Sequence, residues 1–585
     1  MQMVLLLRLA VLLRSARGTT VFPTVFGAEN GVTYHGLERN GVEVFLGIPF
    51  GQDTGGENRF RPPRPFHPEP GSIIDAQSVG AACPQPTGKV LGPLAQANVT
   101  NISEDCLNLN IVRPRGCSSQ SRLPVMIWIY GGGFWVGTNG EPTTAPDGLV
   151  LESVENGLPV MHVAINYRLG VFGFTQSKSL EAEKSENAGL RDQRLAIEWV
   201  RDNIEAFGGD PEKITIHGQS SGGFAVTAQI LAYGGSKPVP FQQGICESQA
   251  LATGLTANTT RDAVQVLVDY VGCNTTSMDD AKTISCLQSL DMQTLFDASL
   301  ATYRNGLGDL WLPAIDGDFW PAAPSVLLRE GRFANVTIMI GWAQDDMTLY
   351  TDPSIQTAQD TLDSVRGPYW AISDANLDKL LALYPVTDFA AEAEAKGNYH
   401  SSEFYRAARI ARDIIMVCQP LHVAQALSAG GGKNDVFLYD WNQTMLGPSL
   451  AAVRDLHGVG VPHTAEFAYT FGNLSAYDVN GYPFDPTPAD YALVRRGSRS
   501  WSTFASTGRP SLEGHDTFVG FGKAYNSSDA EDTDGGEPYI FVVGGPHEGL
   551  SAVDGTGSIP EVAEQKIRER CAFLNSPEMI EQLGY

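Results

Sequence analysis

The sequence predicts an α/β fold, in which a central, mostly parallel sheet is covered by helices on both faces, and three stretches carry that prediction. Leu123-Pro-Val-Met-Ile-Trp-Ile-Tyr130 is a continuous apolar run of strand length that ends abruptly in Gly131-Gly132-Gly133-Phe134. Leu158-Pro-Val-Met-His-Val-Ala-Ile-Asn166 repeats the arrangement and runs into Tyr167-Arg168-Leu169-Gly170. Ile214-Thr-Ile-His217 feeds directly into Gly218-Gln219-Ser220-Ser221-Gly222 and then into a helix-compatible segment. Runs that are apolar throughout, rather than alternating, belong to strands buried on both faces, as in a parallel sheet.

Taken in order from the N-terminus, residues 1–18 have the outline of an atypical signal peptide. Arg8 and Arg14 interrupt its apolar centre, and Ala16 and Gly18 supply small residues before cleavage. No low-complexity linker or repeat divides the remainder, so one large domain is expected over residues 19–585. Between the second apolar run and Ser220, apolar residues at 190, 195, 197, 200 and 204 have the spacing of an amphipathic helix over residues 189–204. Strand, helix and strand in succession form a crossover series with parallel strands. Active sites of such sheets lie at the carboxyl ends of the strands, where the triple-glycine loop and Ser220 can meet. Residues 565–574 read as a closing helix carrying Cys571, bridged or free.

Gly-x-Ser-x-Gly between a strand and a helix is the pattern of a nucleophile elbow. The turn is so tight that the positions two before and two after the serine must be nearly free of side chain. Gly218 and Gly222 fill them and centre the turn on Ser220; centring it on Ser221 would put Gln219 and Gly223 there instead. A serine hydroxyl is a poor nucleophile at neutral pH and needs a base within hydrogen-bond reach and a third group to orient that base. It also needs donors for a tetrahedral oxyanion. The backbone amides of Gly132 and Gly133 suit that role, with the amide of Ser221 at the start of the elbow helix completing the hole.

Composition narrows the partners. Forty basic against 66 acidic residues give a formal net charge of −26, which repels phosphate backbones and anionic lipid headgroups. Nucleic-acid partners and stable membrane insertion are not expected, and the oligomeric state leaves no signature. Eight cysteines include two close pairs, Cys83 with Cys106 and Cys273 with Cys286. Each closes a short loop, worth on the order of 3 kcal/mol in an oxidising compartment. Cys117, Cys246, Cys418 and Cys571 are read by default as buried, inert thiols. No His-x-x-x-His or Cys-x-x-Cys pattern marks a metal site, and no metal or organic cofactor is expected. Asn98, Asn101, Asn258, Asn274, Asn335, Asn442, Asn473 and Asn526 head Asn-x-Ser/Thr sequons, which together with the cysteine pairs support a secreted, extracellular glycoprotein.

Further motifs bring in a resemblance. Phe45-Leu-Gly-Ile-Pro-Phe50, Arg59-Phe60-x-Pro-Pro, Ser103-Glu-Asp-Cys106-Leu-x-Leu-Asn110 and Asn166-Tyr-Arg-Leu-Gly170 occur in that order. Asn187-x-Gly-Leu-x-Asp-Gln193 and Phe207-Gly-Gly-Asp-Pro211 follow, then the elbow. With these, the chain resembles the type-B carboxylesterases and lipases, a family with the α/β-hydrolase fold, over nearly its whole mature length. The resemblance implies a serine hydrolase that cleaves carboxylic esters through an acyl-enzyme. The family's acid lies in Gly-x-x-x-Asp-Glu-Gly, matched here by Gly341-Trp-Ala-Gln-Asp345-Asp346-Met347. This implies Asp346 as the acid in place of glutamate, with Asp345 as its rival and Met347 where the family has glycine. The family's base segment, Gly-x-x-His-x-x-Glu, is matched by Gly460-Val-Pro-His463-Thr-Ala-Glu466, which implies His463 as base and Glu466 as a supporting carboxylate. His457 and His547 are the other candidates by position.

Between Cys83 and Cys106 there is no aromatic residue, which disfavours the aromatic recognition of a quaternary ammonium found in the family's choline esterases. Gln219 also stands where that branch carries glutamate. The 22 residues between the two cysteines are short for the lid of an interfacially activated lipase, although Leu91, Leu94 and Val99 are candidates to line a small one. The expectation is therefore an esterase for short- to medium-chain or small-molecule esters. The alternatives are a secreted lipase for long-chain acylglycerols or sterol esters and, from another class, a catalytically inactive esterase-like binding protein.

Overall fold

The computed structural model describes residues 22–27, 31–89, 94–250, 253–302, 310–430, 434–478, 483–525 and 538–585. The signal segment, Leu91 and Asn526 lie outside them. In chain order the strands are β1 (Thr24–Phe26), β2 (Thr33–His35), β3 (Leu37–Arg39), β4 (Val42–Pro49), β5 (Ile73–Asp75), β6 (Asn108–Pro114) and β7 (Leu123–Ile129). They continue with β8 (Met161–Ile165), β9 (Gly209–Gln219), β10 (Gln243–Glu247), β11 (Thr337–Ala343), β12 (Val436–Trp441), β13 (Tyr539–Val543) and β14 (Gly549–Ala552). Eleven form one sheet in the order β14-β13-β12-β11-β10-β9-β7-β8-β6-β4-β3, and β1, β2 and β5 form a small second sheet.

From β8 to β13 every neighbouring pair in the large sheet is parallel. The chain-order neighbours β3, β4 and β6 on one side and β14 on the other run antiparallel. The apolar runs become the innermost strands: all of β8 is buried, and β7 is buried at all but one position. Both strands are shorter than their apolar runs, because Leu158-Pro159-Val160 only approaches the sheet and Tyr130 already begins the glycine loop. The amphipathic segment forms the helix Ala188–Asn203, one residue earlier than the spacing predicts. This helix is tied to the β8 end by a buried ion pair between Arg168 and Asp192 at 2.6 Å. The closing helix is Ile567–Leu574.

Register sets the site. Ile129 of β7 pairs with Gly218 of β9, and Glu247 of β10 pairs with both Gln219 of β9 and Gly341 of β11. The carboxyl ends of these strands are thus level, and the loops leaving them converge on one edge of the sheet, where ligands of such folds bind.

Cys83–Cys106 and Cys273–Cys286 are bridged, as their spacing predicts. The reading of Cys418 and Cys571 as inert thiols is corrected by a third disulfide that joins them across 153 residues. It fastens the closing helix to the body of the fold, and a loop of this size is worth on the order of 5 kcal/mol in the chain-entropy account. Cys246 is buried and free, and Cys117 is free and partly exposed. Among the described residues no helix is long and apolar enough to cross a membrane.

The sequons divide by environment. Asn98, Asn101, Asn258, Asn274 and Asn335 are exposed, whereas Asn442 and Asn473 are half-buried. The side-chain amides of the latter two donate to Asp440 at 3.1 Å and to the Pro142 carbonyl at 2.9 Å. A glycan on either nitrogen has to displace that bond. In protein produced through a eukaryotic secretory pathway, mass spectrometry after enzymatic deglycosylation is expected to find the first five occupied and Asn442 and Asn473 empty. Full occupancy at those two would contradict the assignment.

Candidate active site

Ser220 stands between β9 and the helix Ser221–Leu231 with φ 60° and ψ −128°, a conformation that costs a non-glycine residue and lifts its side chain out of the turn. The flanking glycines are required by space. A Cβ on Gly218 would lie 2.5 Å from the Gly222 carbonyl carbon, and one on Gly222 would collide with the Ile129 carbonyl oxygen. Gly131, which sequence reasoning left without a role, is equally constrained. A Cβ there would strike the Gln219 carbonyl oxygen and stand 2.9 Å from the Ser220 Cβ.

The glycine loop is therefore pressed against the elbow. Gly132 and Gly133 both take positive φ, 109° and 64°. Next to them, the Phe134 backbone N–H donates to the Ser221 hydroxyl at 3.2 Å, which ties the loop to the first turn of the elbow helix. Ser221 is buried, so its side chain is spent on this contact and is not presented to a substrate.

His463 and Asp346 come from loops 117 positions apart and meet with Nδ1 to Oδ1 at 2.7 Å. Both are buried, and the other oxygen of Asp346 accepts from the Ala343 backbone N–H at 2.8 Å. Met347, where the resembling pattern has glycine, is not among the residues with positive φ, so this turn has no need of a glycine. Asp345 faces the other way. It accepts from Lys396 at 2.6 Å and from the Val461 backbone N–H at 2.8 Å, so it holds the loop that carries His463 and not the imidazole. Gly460 has no room for a side chain because the Asp345 carboxylate fills that space. Burial raises the Asp345 carboxyl, but Lys396 and Arg409 outweigh it and leave the group below its ordinary range.

The far ring nitrogen of His463, Nε2, lies 3.0 Å from the side-chain nitrogen of Gln219. The Tyr350 ring meets the imidazole edge to face, centroids 5.5 Å apart. The rival histidines lie elsewhere: His457 stacks on Tyr399, and His547 pairs with Glu561 near the surface.

Behind these groups lies a buried polar cluster in which Glu466, expected as a supporting carboxylate, is joined by three residues the sequence reading passed over, Glu247, His217 and His162. Glu247 accepts from the Trp501 indole at 2.7 Å and stands 3.8 Å from His217, whose Nε2 is 3.1 Å from that of His162. Burial pushes the Glu247 carboxyl up, to about 8. Glu466 is raised well above the ordinary carboxylate range by burial first and then by Glu247 and Asp346. Burial also lowers both histidines, His217 to about 3, which keeps the pair neutral. The signal for this cluster was present as polar residues inside apolar strands, in Met161-His162-Val163 and Ile245-Cys246-Glu247.

The loop closed by Cys83–Cys106 is anchored where it is described. The backbone amides of Gln96 and Ala97 donate to the Glu141 carboxylate at 2.8 and 2.9 Å, and Leu94 packs into a core cluster. Among the described residues no group of three or more His, Cys, Asp or Glu is placed to hold a metal ion.

The carboxylesterase family model matches residues 18–530. A secreted lipase of Arthroderma benhamiae is 50% identical over 572 residues, covering 96% of this chain and 96% of its own. An inactive carboxylesterase-like protein of Byssochlamys spectabilis is 34% identical over 570 residues, 94% of each chain. Among solved structures, a thermophilic PNB esterase has a TM-score of 0.74 at 25% identity, covering 94% of this chain and 100% of that one. EstA of Aspergillus niger has a TM-score of 0.73 at 23% identity, covering 96% and 99%, a likeness of fold.

Proposed function

The chain belongs to the carboxylesterase family and is a carboxylic ester hydrolase; from that premise we propose that Ser220 is its nucleophile, His463 its general base and acid, and Asp346 the group that orients the imidazole. The observation that carries this reading is the 2.7 Å contact of Asp346 with His463 beside the strained Ser220 turn. In the first half-reaction His463 takes the Ser220 proton as the oxygen attacks the ester carbonyl. The oxyanion is held by the amides of Gly132, Gly133 and Ser221, each donor of this type being worth roughly 3 to 4 kcal/mol in the transition state. His463 then protonates the leaving alcohol, and water repeats the sequence to free the acid. Asp346 stabilises the imidazolium formed in both halves.

The anchored loop beneath Cys83–Cys106 supports soluble, short- to medium-chain esters, since a lid that opens at an interface must give up such contacts. A second reading, hydrolysis of long-chain acylglycerols, draws on the relative named a secreted lipase. Three disulfides and that relative together support secretion through an oxidising compartment.

A series of p-nitrophenyl esters from acetate to palmitate tests the function. Turnover that peaks at short chains and disappears when a fluorophosphonate labels Ser220 is the expected result. A long-chain optimum that rises above the substrate's solubility limit favours the lipase reading. Absence of both turnover and labelling would overturn the proposal and leave an inactive protein of the kind its Byssochlamys relative is named.

A further inference from the structure

We propose that Gln219 is a positioning residue for the base, holding the acceptor nitrogen of a neutral His463 and releasing it to Ser220 when an ester binds; this rests on the reading of Ser220 and His463 just given. Gln219 and His463 are each 2% exposed, and their side chains meet at 3.0 Å with no solvent to compete. Gln219 is the last residue of β9, paired with Glu247, and Ser220 turns away from it at positive φ, so the backbone aims the amide at the ring.

The imidazole's own bonding decides what the amide does there. With Nδ1–H donated to Asp346, Nε2 of the neutral ring carries a lone pair, and only the NH2 end of the amide complements it. When Nε2 becomes protonated, the amide turns over and presents its carbonyl oxygen. A glutamine thus serves both protonation states, whereas a carboxylate at 219 accepts only and favours the imidazolium. Among the described residues the Ser220 hydroxyl makes no hydrogen bond, so Gln219 occupies the position the nucleophile must take over. The titratable groups in contact with the ring are Asp346 at Nδ1 and Tyr350 against its face, and Glu466, itself facing Glu247, acts on Asp346.

Two variants and two readouts test this. In the pH profile of kcat/KM for a soluble ester, Q219E is expected to move the acid limb upward by a pH unit or more, an about tenfold loss below the limb, with the plateau changed far less. Q219M, similar in shape and unable to hydrogen-bond, takes a partner from both protonation states and is expected to move the limb by less than Q219E does. Protein labelled with 15N-histidine, with His463 assigned through H463Q, reads the contact without turnover: the Nε2 resonance of the neutral ring is expected to move when Gln219 becomes methionine. An unchanged limb in Q219E, or an unchanged Nε2 resonance in a folded Q219M, would overturn the proposal. A wild-type protein without turnover strikes the hydrolase reading alone, because the resonance still reports the contact.

Discussion

Alanine at position 220 is expected to lower kcat for a soluble ester by about 10⁶-fold, to the level that binding and oxyanion stabilisation supply without a nucleophile. The change removes one oxygen from a side chain that carries no hydrogen bond among the described residues, so folding has little to lose. Alanine and serine face the same backbone strain at φ 60°, and the glycines that make the turn are untouched. The melting temperature should therefore stay within a few degrees while turnover collapses, and the variant should resist a fluorophosphonate. Ser221 has no means of substituting, because its hydroxyl is buried and engaged by the Phe134 amide. A loss smaller than about a hundredfold would mean that Ser220 is not the nucleophile, since removing the nucleophile of a triad costs nearly as much as removing the whole triad.

Much of this arrangement was legible because it is local. The elbow, its two glycines, the triple-glycine loop and the innermost strands are all written within about ten residues of chain, where steric demands and apolar periodicity act directly. The parallel order of β7, β8 and β9 follows from the crossover between them. What escaped depends on distance along the chain. Cys418 and Cys571 are 153 residues apart and share no spacing signal, so a bridge between them has no local trace. Leu94, a candidate lid residue only under the lipase alternative, packs into the core because Glu141, 47 residues on, holds the backbone beside it. Gln219 and His463 are 244 positions apart, and their contact exists only because the sheet register brings the end of β9 opposite the loop that carries His463. The two adjacent aspartates were indistinguishable by residue type, and their separate duties are set by where the turn after β11 aims each side chain.

That division of labour underlies the second large effect, an expected loss of about 10⁴-fold in kcat/KM for Asp346→Asn. One oxygen of Asp346 accepts from the Ala343 N–H at 2.8 Å and the other faces His463 Nδ1 at 2.7 Å. An asparagine has a single carbonyl for the two positions. If that oxygen stays on Ala343, the NH2 group meets Nδ1 and drives the ring proton to Nε2, where it removes the lone pair that must receive the serine's proton. If the amide turns over, a buried backbone N–H loses its acceptor at a cost of about 1–3 kcal/mol. The first arrangement is favoured, so the protein stays folded with its base in the wrong tautomer. Asp345→Asn is expected to do the reverse. It keeps an acceptor for Val461 but breaks the pair with Lys396, so it lowers the melting temperature while costing kcat/KM about tenfold or less, through a loosened loop. Melting curves and kcat/KM on the pH plateau for both variants decide the assignment: a greater activity loss in Asp345→Asn than in Asp346→Asn would move the acid's role to Asp345, against the direction in which its side chain points.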